Sequence, residues 1–91
     1  MARKKIPGQI LKEQFMDPRG LSMNKLASVI DVPTNRISAI VKGTRAISAD
    51  TAFRFSKCFG NSIEFWMDLQ RDQDIIEIKK LNKGVKIKVI K

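Results

Sequence analysis

The sequence predicts an all-α domain of five helices with a short C-terminal strand or tail, on three observations. Apolar residues recur at spacings of three and four along five successive stretches. Serines that suit helix N-caps and glycines that suit helix ends bracket most of those stretches. Only Val85-Lys86-Ile87-Lys88-Val89 alternates apolar with charged, which is the period of a strand. A length of 91 residues fits one domain. It divides into a basic arm (1–7), a helical domain (8–80) and a basic tail (81–91) that is a possible strand.

The first helix is expected over Gly8–Met16, with Ile10, Leu11 and Phe15 on one side. Asp17-Pro18-Arg19-Gly20 should end it, because a proline disfavours helix at the residue before it and glycine permits a turn. The second runs over about Ser22–Ile30, capped by Ser22, with Met23, Leu26, Ala27 and Ile30 at helical spacing. The third, Pro33–Lys42, opens on a proline and closes at Gly43. The fourth, Ala49–Phe59, is capped by Ser48, carries Asp50 in its first turn and stops at Gly60. The fifth starts after Ser62, has Glu64 in its first turn and reaches about Lys80. Leu26, Ala27, Ile30, Ile37, Ile40, Phe55 and Phe59 should share one core.

Net charge is +9, and its placement says more than its size. Residues 1–12 hold Arg3, Lys4, Lys5 and Lys12 with no acid, and residues 79–91 hold Lys79, Lys80, Lys83, Lys86, Lys88 and Lys91 with no acid. The middle is nearly balanced. Within it no acid falls between Asp31 and Asp50, whereas Arg36, Lys42 and Arg45 do. A polyanionic partner is favoured.

Met23–Lys42 carries the function. Two short helices flank the tight turn Asp31-Val32-Pro33, and the positions that face between them are apolar: Leu26, Ile30, Val32, Ile37 and Ile40. Ala27 supplies the small residue needed where the second helix crosses close by. This is the helix-turn-helix pattern of DNA-binding domains. Asp31 stands where the turn often carries glycine, and aspartate tolerates left-handed geometry better than most residues. On the recognition helix, Thr34, Asn35, Arg36 and Ser38 are the candidates for base contacts, since Asn pairs bidentately with adenine and Arg with guanine. Lys25, Lys42, Thr44 and Arg45 are candidates for the phosphate backbone, which positions the protein without specifying sequence. Such a helix reads a palindrome best as a dimer, with half-sites about 34 Å apart.

Nothing supports catalysis, so the chain is expected not to be an enzyme. It has no histidine, the commonest acid–base residue. No Cys or His residues have metal spacing, no Gly-rich phosphate loop occurs, and no cofactor is called for. Asp72 and Asp74 read as solvated. The single cysteine, Cys58, can form no internal disulfide and suits a reducing cytoplasm; it reads as a small core hydrophobe. No apolar run follows the basic start as in a signal peptide, and none is long enough to span a membrane. The aromatic residues have core or dimer spacing. Phe65, Trp66, Leu69 and Ile76 make the fifth helix the expected dimer surface.

Four segments carry a family resemblance: Pro7-Gly8-Gln9-Ile10-Leu11-Lys12-Glu13, Asn35-Arg36-Ile37-Ser38-Ala39-Ile40, Arg45-Ala46-Ile47-Ser48-Ala49-Asp50-Thr51-Ala52 and Phe59-Gly60-Asn61-Ser62-Ile63-Glu64-Phe65-Trp66. Over about residues 6–78 the chain resembles HigA-type antitoxins, also called the VapI group, within the Xre class of repressors. The resemblance implies a lambda-repressor-like five-helix domain, dimeric, that represses its own operon. It also implies a partner, a HigB-type toxin that cleaves mRNA and is neutralised by direct binding. Lys25 departs from the group, which often has an acidic or amide residue there, and the lysine-rich tail 84–91 is not a feature of its core. Two other readings compete: a stand-alone repressor without a toxin, and a protein-interaction module that has lost DNA binding. The tail should pair with another chain as an added strand.

Overall fold

The computed structural model describes residues 6–90. Residues 1–5, most of the expected basic arm, and Lys91 lie outside the described residues. Five α-helices succeed one another: α1 (Pro7–Ile10), α2 (Met23–Ile30), α3 (Thr34–Lys42), α4 (Ala49–Phe59) and α5 (Ile63–Leu81). A π-helical stretch, Leu11–Met16, and a 3₁₀ turn, Asp17–Arg19, prolong α1. The fold is all-α, as expected.

Local chemistry sets most boundaries. The hydroxyls of Ser22, Ser48 and Ser62 accept the backbone N–H groups of Lys25, Thr51 and Phe65 at 3.0, 3.3 and 3.0 Å. Each satisfies one N–H that its helix leaves without a partner. Pro33 is the N-cap of α3 rather than its first residue. The first helix differs most from expectation. Its α-helical part is only Pro7–Ile10, a π-helical stretch runs to Met16, and the 3₁₀ turn carries the chain on through Pro18, which sits in that turn's first positions, where its missing N–H is no loss. The chain turns only at Gly20, whose φ is 60°.

Leu11, Met16, Leu26, Ala27, Ile30, Ile37, Ile40, Ile47, Ala52, Phe55 and Trp66 form one buried cluster. Burial of each large side chain there stabilises the fold by about 1.5–3 kcal/mol. Phe59, expected inside, is half-buried and packs against this cluster together with Phe15. Phe15 meets Phe59 and Trp66 at ring-centroid distances of 5.1 and 4.8 Å, and Phe55 meets Trp66 at 4.9 Å.

Trp66 corrects the expected dimer surface. It is fully buried within its own chain, and its Nε1–H donates to Asn61 Oδ1 at 2.8 Å. Leu69 and Ile76 are half-buried, and Phe65 is exposed at the rim of the aromatic cluster. The N-terminal half of α5 is fastened to the domain, where Gln70 Oε1 accepts the Ile47 N–H at 2.9 Å. Its C-terminal half is open, with Ile75, Ile78 and Leu81 increasingly exposed (42%, 54% and 79%). Val85–Ile90 have no regular structure and are exposed, so the expected strand does not form among the described residues. One strand has no partner for its backbone groups, and even an isolated hairpin is marginal in water.

Candidate DNA interface

The turn between α2 and α3 sets the interface. Asp31 occupies it in the left-handed region (φ 60°, ψ 55°), the conformation expected of a residue in glycine's place. For a non-glycine residue this costs about 1–2 kcal/mol. Its own N–H and that of Val32 turn back to Ser28 O and Ala27 O at 3.3 and 3.0 Å. A second tie comes from α4: Arg54 Nη1 donates to Ile30 O at 2.7 Å and lies 3.5 Å from Asp31 O. These are carbonyls that the end of α2 leaves without helical partners. Sequence reasoning missed this tie, because nothing local links residues 24 apart.

Gly8 positions α3 from the other side. A Cβ there would fall inside contact distance of the Ile40 carbonyl oxygen and 2.8 Å from the Val41 Cα. The backbones of α1 and α3 therefore touch at a point only glycine can occupy. Gly8 is a close-approach residue within α1.

Successive residues of α3 are turned by roughly 100°, from 3.6 residues per turn. Ile37 and Ile40 face the core and are buried. Thr34, Ser38 and Lys42, four apart, share the opposite stripe, with Asn35 beside them. Thr34, Asn35 and Lys42 are exposed and Ser38 is half-exposed. So three of the four expected base readers lie together on one accessible face.

Arg36 does not join them. It lies about 200° around the helix from Thr34, and only a quarter of its side chain is exposed. Its Nη1 is 3.7 Å from Asp50 Oδ2, in the first turn of α4. Its Nε is buried with no hydrogen-bond partner. Asp50 Oδ2 also accepts Arg54 Nε at 3.0 Å. One carboxylate thus gathers two guanidiniums, and the expectation that Arg36 sits on the base-reading face is corrected by its orientation toward α4.

The expected backbone contacts fall in the first turn of α2 and at the end of α3. Lys25 is exposed in the first turn of α2, a position the helix dipole disfavours for a cation. Lys42 ends α3, and Gly43 in the left-handed region (φ 84°) turns the chain. Thr44 and Arg45 follow, both exposed. Their N–H groups point back to Ala39 O at 3.0 and 3.3 Å, and the Thr44 hydroxyl donates to the same oxygen at 3.2 Å. That hydroxyl hydrogen is already engaged, which leaves the side chains of Lys42 and Arg45 as the cations of this corner. No ion pair occupies Lys25, Lys42 or Arg45 among the described residues.

No cluster of Cys, Asp and Glu that could hold a metal occurs among the described residues. Cys58 is half-buried against the core. Burial pushes its thiol above the ordinary range, and the Arg19 guanidinium opposes this only partly. Among the described residues no helix is long and apolar enough to cross a membrane.

Comparison with known proteins agrees with this geometry. A helix-turn-helix family profile matches residues 11–66. Virulence-associated protein I of Dichelobacter nodosus is 41% identical over 69 residues, which is 76% of this chain and 64% of that protein. Antitoxin HigA-1 of Vibrio cholerae is 31% identical over 68 residues, 75% of this chain and 64% of that protein. The chain thus spans somewhat less than two thirds of each of these relatives. Among solved structures, the antitoxin HigA of Pseudomonas aeruginosa, solved with the higBA promoter, superposes with a TM-score of 0.88 at 29% identity, covering 97% of this chain and all of that one. An addiction module antidote protein of a HigA family from Coxiella burnetii gives 0.84 at 40% identity, covering 96% of this chain and all of that one.

Proposed function

The chain belongs to the helix-turn-helix family, a class of DNA-binding proteins and not of enzymes, and from that premise we propose that it is an antitoxin-type repressor of its own operon. One observation carries the DNA reading. Thr34, Asn35, Ser38 and Lys42 share an accessible side of α3, and Lys25 and Arg45 are exposed with no ion pair among the described residues. This supports a reading in which the polar groups of that side meet base edges and the cations meet phosphates. The test is binding to the DNA upstream of the protein's own gene and to a scrambled duplex at matched salt. Equal affinity for the two would sink the operator reading.

Dimerisation follows from the same requirement, since a lone short helix offers few base contacts and two copies half a palindrome apart double them. The last turns of α5 leave Ile75, Ile78 and Leu81 exposed between charged residues, and neighbouring exposed apolar side chains of this size favour an interface. We place the dimer contact there. Phe65 and Leu69 remain candidates nearer the domain, and Trp66 contributes only to its own core. A neutralised toxin of the HigB type is supported by the likeness to proteins named as antitoxins. Co-purification with the product of an adjacent short gene, and relief of that product's toxicity in the cytoplasm, would test it. Capture of no such product, with operator binding intact, would leave the stand-alone repressor.

A further inference from the structure

We propose that Asp50 is a specificity-determining residue of the DNA interface, holding the Arg36 guanidinium against α4 so that it is withheld from DNA. This rests on the operator-binding reading above and names a control on that same face.

Two observations meet in it. Arg36 is the one cation within the body of the recognition helix ahead of Lys42, yet three quarters of its side chain is buried beside α4. Its position there is not one of full satisfaction. The contact with Asp50 is long, 3.7 Å, and the buried Nε has no partner. A buried donor without an acceptor is costly, so the burial of Arg36 is opposed by its own hydrogen bonding. Only the aliphatic stem and the Asp50 carboxylate favour it. The carboxylate is itself anchored by Arg54, which donates to Asp50 Oδ2 at 3.0 Å while its other arm holds the α2–α3 turn through Ile30 O. Asp50 Oδ2 is therefore shared by Arg36 and Arg54, and Arg54 links it to the α2–α3 turn.

The consequence is for discrimination. A guanidinium released beside a duplex finds phosphates at every sequence, which adds affinity without adding selectivity. Held by Asp50, it leaves Thr34, Asn35 and Ser38 to decide the outcome through base edges.

The test compares the parent, Asp50→Asn, Arg36→Gln, the double variant and Arg54→Gln on the upstream duplex and a scrambled duplex across a salt series. Asp50→Asn should raise affinity for scrambled DNA about two- to ten-fold and steepen the salt slope by about one, the signature of one added phosphate contact. The operator-to-scrambled ratio should fall accordingly. Adding Arg36→Gln should reverse both changes. Arg36→Gln alone should leave the ratio where it was, and Arg54→Gln should lower the melting temperature without steepening the slope. An unchanged slope in Asp50→Asn, or a ratio that falls with Arg36→Gln alone, would overturn the proposal; the second outcome would make Arg36 a base reader. Because Arg36→Gln leaves Asp50 and Arg54 paired, it stays informative even if Asp50→Asn folds poorly. A parent protein that does not distinguish the two duplexes would instead defeat the operator reading itself.

Discussion

Gly8 and Ile40 touch backbone to backbone, with no room for a single methyl between α1 and the carbonyl of α3. Ile40 is buried on the inner face of the recognition helix, so whatever moves its backbone moves Thr34, Asn35 and Ser38 on the outer face. The obstacle is backbone and cannot swing aside as a flexible side chain would. Gly8→Ala should therefore destabilise the fold by about 1–3 kcal/mol, the ordinary cost of forcing a methyl into a packed site. A urea titration reads it. A variant with the parent's midpoint would show that α1 is free to shift, and α1 would then not position α3.

Asn35 and Lys42 lie on the same accessible side of α3 but differ in what they can recognise. If Asn35 pairs with a base, Asn35→Ala should weaken operator binding by about 1–3 kcal/mol and leave scrambled DNA alone. Lys42→Ala should weaken both equally and flatten the salt slope by about one. Fluorescence anisotropy on both duplexes over a range of salt separates the two patterns. Equal losses on both duplexes for Asn35→Ala would remove it from the base readers.

These residues were legible in the sequence because their signals are local. Ser22, Ser48 and Ser62 announce helix starts, Gly43 and Gly60 announce ends, and Asp31 marks the left-handed turn. Less was legible where the cause is distant in the chain. The tie from Arg54 to Ile30 O, and the pull of Asp50 on Arg36, join segments that no spacing rule connects. Polarity and place on the recognition helix made Arg36 a base reader; only the packing of α4 turns it away. Trp66 was ambiguous for another reason. Apolar residues occur on several sides of α5, so spacing alone cannot say which of them face the chain's own core.

Cys58 makes stability depend on alkaline pH. Burial raises its thiol pKa in the folded protein, with Arg19 opposing. The folded state therefore keeps its proton over a range in which the unfolded chain has already released it. Stability from this source is full below the unfolded pKa and is lost as pH rises through the folded one. Between about pH 7 and about pH 10, which spans ordinary thiol ionisation, the urea midpoint of the parent should fall more than that of Cys58→Ser. Parallel profiles for the two proteins would show that the thiol's surroundings do not distinguish the folded from the unfolded state.

The open end of α5 gives the proposed dimer a test. Ile78 and Leu81 are 54% and 79% exposed and contribute little to the chain's own core, so charging them should not unfold the monomer. In a dimer packed through these turns the same charges would be buried against a partner's apolar side chains, at a cost of several kcal/mol per unpaired ion. Ile78→Glu with Leu81→Glu should therefore give a folded monomer by sedimentation, with parent-like helicity, that binds a palindrome far more weakly and a half-site as the parent's single domain would. The tail adds a second, separable contribution. Val85, Ile87 and Val89 lie on one side of its alternation, and a partner's tail or a toxin's sheet edge would supply the missing ladder. Truncation after Lys83 should then leave the dimer of α5 helices intact but weaker. If the truncated protein dimerises and binds its toxin like the parent, strand pairing has no part in either. If the doubly charged variant still sediments as a dimer, the contact lies elsewhere, and Phe65 and Leu69 become the residues to change next.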